Sequence, residues 1–256
     1  MSLSLPDGHR AVVVGAGGAI GAAVCRAYAA AGAHVTALDL DAAAAQTLRD
    51  ALPGGPHAAD ALDVTDRAAV ERAAAAAGAV DSVVYAAGLA PTFELLAFDW
   101  DAYHRTLAVN LHGALHVAAA FGAQMTAAAR PGVLTFLSST AGKHGEAGAI
   151  AYCASKFALQ GAVECFAAEV GPRGLRVNAI CPGNVDTPML RGVAEAQGAL
   201  EGRDADAVLS DYAQSAAARR LVTVEEVGAV AVWLASPLAS GITGESVNVD
   251  AGALTG

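Results

Sequence analysis

Positive charge is scarce in this 256-residue chain: 15 Lys and Arg stand against 25 Asp and Glu, for a net charge of −10. That balance argues against a surface built for nucleic acid or an anionic membrane. Cysteine is sparse as well. Cys25, Cys153, Cys165 and Cys181 have no CxxC spacing and lie in apolar segments, so reduced, mostly buried thiols are expected. No uninterrupted apolar stretch reaches the ~18 residues that a membrane span needs. Residues 1–8 contain no basic segment followed by an apolar block, so no signal peptide is read and the cytoplasm is the expected compartment. His112 and His116 have helical spacing, but no glutamate follows His112 to make HExxH, so no metal site is expected.

What is present is apolar: 55% of residues, against 16% charged, which excludes a disordered chain. Short apolar runs alternate with Ala-rich helical stretches. Strands are expected at 11–15, 34–38, 57–62, 82–85, 133–137, 176–180 and 246–249. Helices are expected at 19–31, 42–51, 67–77, 100–129, 151–170 and 224–235. Such alternation predicts an α/β fold, a doubly wound parallel sheet of Rossmann type with helices on both faces. One domain over 1–256 is read. Its rhythm breaks between Pro182 and Thr223, where a charged segment without a strand, about 186–215, is expected to form a helical lid over the substrate.

The first strand runs into Gly15-Ala16-Gly17-Gly18-Ala19-Ile20-Gly21. Glycines there let the backbone approach a pyrophosphate, and a helix N-terminus offers free N–H groups to it. Ile20 breaks a strict GxGxxG. The longer GxxxGxG fits with Gly15 and Gly21, with Ala19 in the middle glycine's place. Asp39 ends the second strand, where a carboxylate hydrogen-bonds the adenosine ribose and repels the 2′-phosphate of NADP. No Arg or Lys lies beside it, so NAD is the expected cofactor. Asp63 and Val64 follow the third strand, suited to the adenine edge or to capping the next helix. Ala86-Ala87-Gly88 after the fourth is small enough to pass close to the cofactor.

Tyr152 and Lys156 stand at i and i+4, so on a helix a phenol and an ammonium share one face. Ser138 and Ser139 end the fifth strand, and Asn110 lies in the long helix before it. With these in place the chain resembles the short-chain dehydrogenase/reductase family over essentially its whole length. The resemblance rests on Gly15 to Gly21, Ala86-Ala87-Gly88, Val109-Asn110-Leu111, Leu137-Ser138-Ser139, Tyr152-x-x-x-Lys156, Pro182-Gly183-x-x-x-Thr187-Pro188 and Gly241-x-x-x-Glu245.

The resemblance implies that Tyr152 is the general acid/base, that Lys156 lowers its pKa and holds the nicotinamide ribose, and that Ser139 orients the substrate oxygen. Asn110 would hold a proton-relaying water. Gly18, Leu40, Pro182, Gly183, Val185 and Thr187 would join the cofactor contacts. Bringing a phenol from pH ~10 to ~7 requires about 4 kcal/mol. One solvated ion pair is too weak for that, so the oxidised nicotinamide and water exclusion must contribute.

The chain departs from the family pattern at Val14, where threonine is usual, and at Tyr85 and Ala86, where two asparagines are usual. Their joint loss suggests an apolar substitute contact. The expected activity is hydride transfer between NAD(H) and a small secondary alcohol or ketone. Two alternatives stay open: a 3-oxoacyl thioester reductase using NADPH, and a dinucleotide sensor without catalysis. Lys143, His144 and Glu146 border the expected pocket and suit a polar substrate such as a polyol; Asn184, Asp186, Met189 and Leu190 are expected at its roof. The resemblance also implies a homotetramer, built from the two long helices and the apolar stretch 247–254.

Overall fold

The computed structural model describes residues 5–254; residues 1–4, on which part of the reading of the chain's start rests, lie outside them. Its strands are β1 (Arg10–Val14), β2 (His34–Asp39), β3 (Ala58–Ala61), β4 (Ser82–Tyr85), β5 (Gly132–Leu137), β6 (Leu175–Pro182) and β7 (Ser246–Val249). All pair in parallel, in the order β3-β2-β1-β4-β5-β6-β7. The strands carry side chains into both faces. Along β1, Ala11 and Val13 join one core while Val12 and Val14 join the other, which is why the run is apolar without alternation.

Nine α-helices lie among the described residues: α1 (Ala19–Ala30), α2 (Ala42–Ala51), α3 (Arg67–Ala77), α4 (Trp100–Leu107), α5 (Ala114–Ala127), α6 (Ile150–Val170), α7 (Pro188–Glu201), α8 (Ala205–Ser215) and α9 (Val224–Ala235). On one face Val24, Cys25 and Tyr28 of α1 pack with Val227 and Ala231 of α9. On the other, Val117, Phe121 and Met125 of α5 pack with Leu159 and Val163 of α6. Aspartates cap α2 and α3: Asp41 accepts from the Ala43 and Ala44 N–H groups, Asp66 from those of Ala68 and Ala69. Thr223 and Glu226 form a capping box on α9.

Several expectations shift. The single long helix expected at 100–129 is broken by a π-helical segment, Ala108–Gly113, between α4 and α5. By length and composition alone the helical stretch Trp100–Ala127 could cross a membrane, an 18-residue window within it having a mean hydropathy of 1.2. Even so, Val117, Phe121 and Met125 bury themselves against the sheet, and polar Asn110 is buried with them. Strand β3 is shorter than read; at its start the Val35 N–H donates to the His57 ring (3.1 Å) instead of to a backbone partner. Cys165 is exposed; the other three cysteines are buried. The segment after β6 folds into α7 and α8, and its ends lie together: the Asp186 N–H donates to the Val222 carbonyl (3.0 Å) and the Val222 N–H to the Asn184 carbonyl (2.9 Å).

One buried titratable group gives a stability prediction. His9 is 5% exposed, and its Nε2 lies 2.8 Å from Ser82 Oγ. Burial holds its pKa below the ordinary 6.5, outweighing the opposing pull of Asp81. The unfolded chain then binds a proton that the folded chain refuses. The stability is complete above pH 6.5 and falls as pH drops from there through the lower folded value. Melting temperature against pH should decline on the acid side in the wild type, and less steeply in His9→Gln. Parallel curves for the two would remove His9 as the cause.

Candidate active site

Neighbouring strands β1 and β4 are not consecutive in sequence, and at such a switch point a crevice opens beyond the strand ends. Two adjoining cavities of about 450 and 340 Å³ occupy it, sharing Gly18, Ala86, Gly88 and Met189. The smaller is lined by Gly15, Asp39, Leu40, Asp63, Val64 and Ala87. The larger is lined by Ala19, Ile20, Gly21, Ser139, Tyr152, Lys156, Pro182, Gly183, Val185 and Thr187. The sequence-selected residues thus converge on one cleft, with the exception of Asn110, Lys143, His144 and Asp186, which do not line it.

The crevice fits a dinucleotide. Gly15 has φ +82°, and a Cβ there would lie 2.7 Å from Ala87 Cα, so β1 and β4 meet at a seam that admits no side chain. A Cβ on Gly21 would stand 2.8 Å from the Gly15 carbonyl carbon. Gly18 begins α1 with no side-chain cap, unlike α2 and α3, so the first N–H groups of α1 stay free for an anion. Asp39 is held in place: Oδ2 accepts from the Gly17 N–H (2.8 Å) and Oδ1 from the Asp41 N–H (3.0 Å). Each oxygen keeps a lone pair for a ribose hydroxyl. No Lys or Arg lines this cavity. Asp63 accepts from the Thr65 N–H and hydroxyl (2.9 and 2.7 Å), and the cap of α3 is Asp66 instead.

At the other end, Tyr152 and Lys156 lie on the first turns of α6, whose N-terminus is also uncapped. Ser139 and Tyr152 line the same cavity, and Ser139 acts to lower the phenol's pKa; Ser139 Oγ accepts from the Ala141 N–H (3.1 Å), while Ser138 donates to the Lys156 carbonyl (3.3 Å). Gln160 Nε2 donates to Ser138 Oγ (3.1 Å). Lys156 is 3% exposed; its Nζ donates to the Leu137 carbonyl (2.6 Å) and lies 5.6 Å from the Tyr152 ring centroid. Burial lowers the Lys156 pKa to about 8. Burial likewise raises that of Tyr152 to about 12, overriding the lowering by Ser139, with Glu146 pushing the same way. In the protein alone the phenol therefore keeps its proton.

Asn110 sits in the π segment, fully buried, and its side chain faces the protein. Oδ1 accepts from the Leu89 N–H (2.8 Å), and Nδ2 donates to the Leu89 carbonyl (2.9 Å) and to Ser155 Oγ (3.0 Å). It clamps the loop after β4 to α6. Lys143 also departs from its expected place: its Nζ reaches β7, donating to the Ser246 carbonyl (2.8 Å) and Asn248 Oδ1 (2.6 Å). Glu146 does line the larger cavity, with Asn184, Met189 and Leu190. Sequence reasoning missed Thr92, Val193 and Tyr212, which also line it. Their apolar or mixed segments gave no signal before α7 and α8 were folded over the cleft.

Tyr85 corrects the expectation of a purely apolar substitute. Its ring packs near Phe136 (centroids 6.3 Å apart), but its hydroxyl donates to the Val109 carbonyl (2.6 Å) beside Asn110. A Cβ on Gly113 would come within 2.6 Å of that hydroxyl, so the residue facing it must be small. A tyrosine thus joins β4 to the π segment. Tyr85→Phe should lower unfolding free energy by roughly 1–3 kcal/mol in urea titrations, since the Val109 carbonyl loses a buried donor. Unchanged stability would mean that the carbonyl is satisfied without it.

A family model described as enoyl-(acyl carrier protein) reductase matches residues 15–254. The chain is 38% identical to the D-threitol dehydrogenase of Mycolicibacterium smegmatis, over 96% of this chain and 93% of that protein. It is 36% identical to the galactitol 2-dehydrogenase (L-tagatose-forming) of Cereibacter sphaeroides, over 96% and 95%. The crystal structure of sorbitol-6-phosphate 2-dehydrogenase SrlD from Erwinia amylovora superposes with a TM-score of 0.90 at 29% identity, over 96% of this chain and 100% of the other. A match over this span, to relatives aligned along nearly their full length, places the chain in the short-chain dehydrogenase/reductase family.

Proposed function

We propose that the protein transfers a hydride between NAD(H) and a secondary hydroxyl or ketone of a small polyol, with Tyr152 exchanging the proton. The observation that carries this reading is the meeting of Ser139, Tyr152 and buried Lys156, its Nζ 5.6 Å from the Tyr152 ring centroid, in a cleft continuous with the dinucleotide crevice. Membership of the family makes it an oxidoreductase acting on CH–OH and C=O groups, and the relatives' names support polyols. The nicotinamide, when bound, supplies the hydride acceptor or donor and a positive charge in its oxidised form. Ser139 orients the substrate oxygen. Tyr152 takes its proton in oxidation and returns it in reduction, and Lys156 lends positive charge from beneath. Asn110 holds the loop that carries Gly88 and Leu89. Helices α7 and α8 act as a lid, contributing Met189, Leu190 and Tyr212.

Asp39 supports NAD over NADP, because its fixed carboxylate would oppose a 2′-phosphate. Exposed hydrophobic side chains at Leu96, Trp100 and Phe157, on and around α4 and α6, support a homotetramer, to be checked by sedimentation. A second reading, an acyl-thioester reductase, draws on the family model's description. Scarce positive charge weighs against docking of an acidic carrier protein.

Absorbance of NADH against a panel of polyols and ketoses tests the proposal. Tyr152→Phe should cut kcat by about 10²–10⁴-fold, and undiminished function in that variant would point to a sensor instead. Burial keeps the proton on Tyr152, so oxidation, which needs the phenolate, should accelerate as pH rises, and reduction should slow. For the cofactor, Asp39→Ser with Leu40→Arg should raise the NADP/NAD ratio of kcat/KM at least about tenfold. A wild-type preference for NADP(H) would refute the role of Asp39.

A further inference from the structure

The relatives' names include both neutral and phosphorylated polyols, and the charges around the substrate end discriminate between them. Glu146 and Lys156 are the charged residues lining the larger cavity. Lys156 is buried with its ammonium on the Leu137 carbonyl. Nearby cations are engaged elsewhere: Lys143 on β7, Arg191 with Asp206 (3.0 Å), and Arg203 with Glu201 and Asp211. An anionic substrate would therefore meet a carboxylate and no free positive side chain among the described residues lining the cleft.

Glu146 is also held ready. One oxygen lies 3.2 Å from His144 Nε2, leaving the other free to accept from a hydroxyl. Tyr212 enters from α8, half-buried, and spends its proton on Gln197 Oε1, so its oxygen is left as an acceptor too. Burial raises the pKa of both Tyr152 and Tyr212, and the charge of Glu146, which lines the same cavity, adds to the rise in each. Two acceptors thus line the same cavity as the reacting phenol, among small or apolar side chains such as Ala90, Pro91 and Val193.

Resting on the dehydrogenase reading above, we infer that Glu146 selects the substrate: its carboxylate, together with the Tyr212 oxygen lining the same cavity, accepts hydrogen bonds from the distal hydroxyls of a neutral polyol and excludes substrates ending in phosphate or carboxylate. A hydroxyl gives a donor to each acceptor, whereas an ionised terminus has none and is repelled.

Binding of threitol and of threonate to the NADH-loaded enzyme, followed by the fluorescence of bound NADH, tests the assignment without requiring turnover. The wild type should bind threitol at least about tenfold more tightly, and Glu146→Gln should erase most of that ratio, chiefly by admitting threonate. Glu146→Asp keeps the charge and should keep the discrimination. An unchanged ratio in Glu146→Gln, equal binding of both compounds or of neither by the wild type, or loss of discrimination in Glu146→Asp as complete as in Glu146→Gln would each overturn it. Absence of NAD-dependent turnover on every alcohol would refute the dehydrogenase reading instead, whatever the binding ratio.

Discussion

The first two turns of α6 are fastened to the end of β5, and the chemistry of the cleft depends on that fastening. The Lys156 ammonium bonds the last carbonyl of β5, Ser138 bonds the Lys156 carbonyl, and Gln160 bonds Ser138. From the other side, Asn110 reaches Ser155, whose hydroxyl donates to the Tyr152 carbonyl (2.7 Å). Every turn of helix near the phenol is therefore tied to something rigid. This spares the site the entropy of arranging its groups when substrate arrives. Burying an ammonium is costly without partners, and here the Leu137 carbonyl supplies the one partner the structure shows. A bound ribose hydroxyl would offer another.

The distribution of helix caps follows the same logic. Where helices face solvent, Asp41, Asp66, Asp204 and Thr223 satisfy the first N–H groups. At α1 and α6, which open toward the cleft, no side chain does so. The start of α7 also borders the cleft but is capped, Thr187 Oγ1 accepting from the Leu190 N–H (3.1 Å), so free N–H groups are confined to the α1 and α6 ends of the cleft.

Much of this was legible in sequence. Strands with two buried faces announce themselves as continuous Val, Ala and Leu runs, and Ser139, Tyr152 and Asp39 lie where their spacing put them in the cleft. Other features left no local trace. A π segment changes one hydrogen-bond register and no composition, so residues 108–113 read as plain helix. The hydroxyl of Tyr85 and the amine of Lys143 reach across the fold to Val109 and β7, and such partners are set by tertiary packing. Tyr212 enters the cleft only because α8 folds back over α7. Ala-rich segments also blur the helical period, which explains the boundary drift of one or two residues.

The paired hydrogen bonds between residues 184–186 and Val222 give the α7–α8 excursion a property of its own. Its two ends leave the sheet side by side, so the excursion is closed at its base before any of its interior is specified. Closing a longer or shorter segment across that base changes the entropic cost only slowly with length. The sheet, the seam at Gly15 and the α6 fastening do not register what lies between. The excursion is in effect an exchangeable cassette: its contents can be rewritten to enclose a different molecule while the machinery beneath is inherited intact.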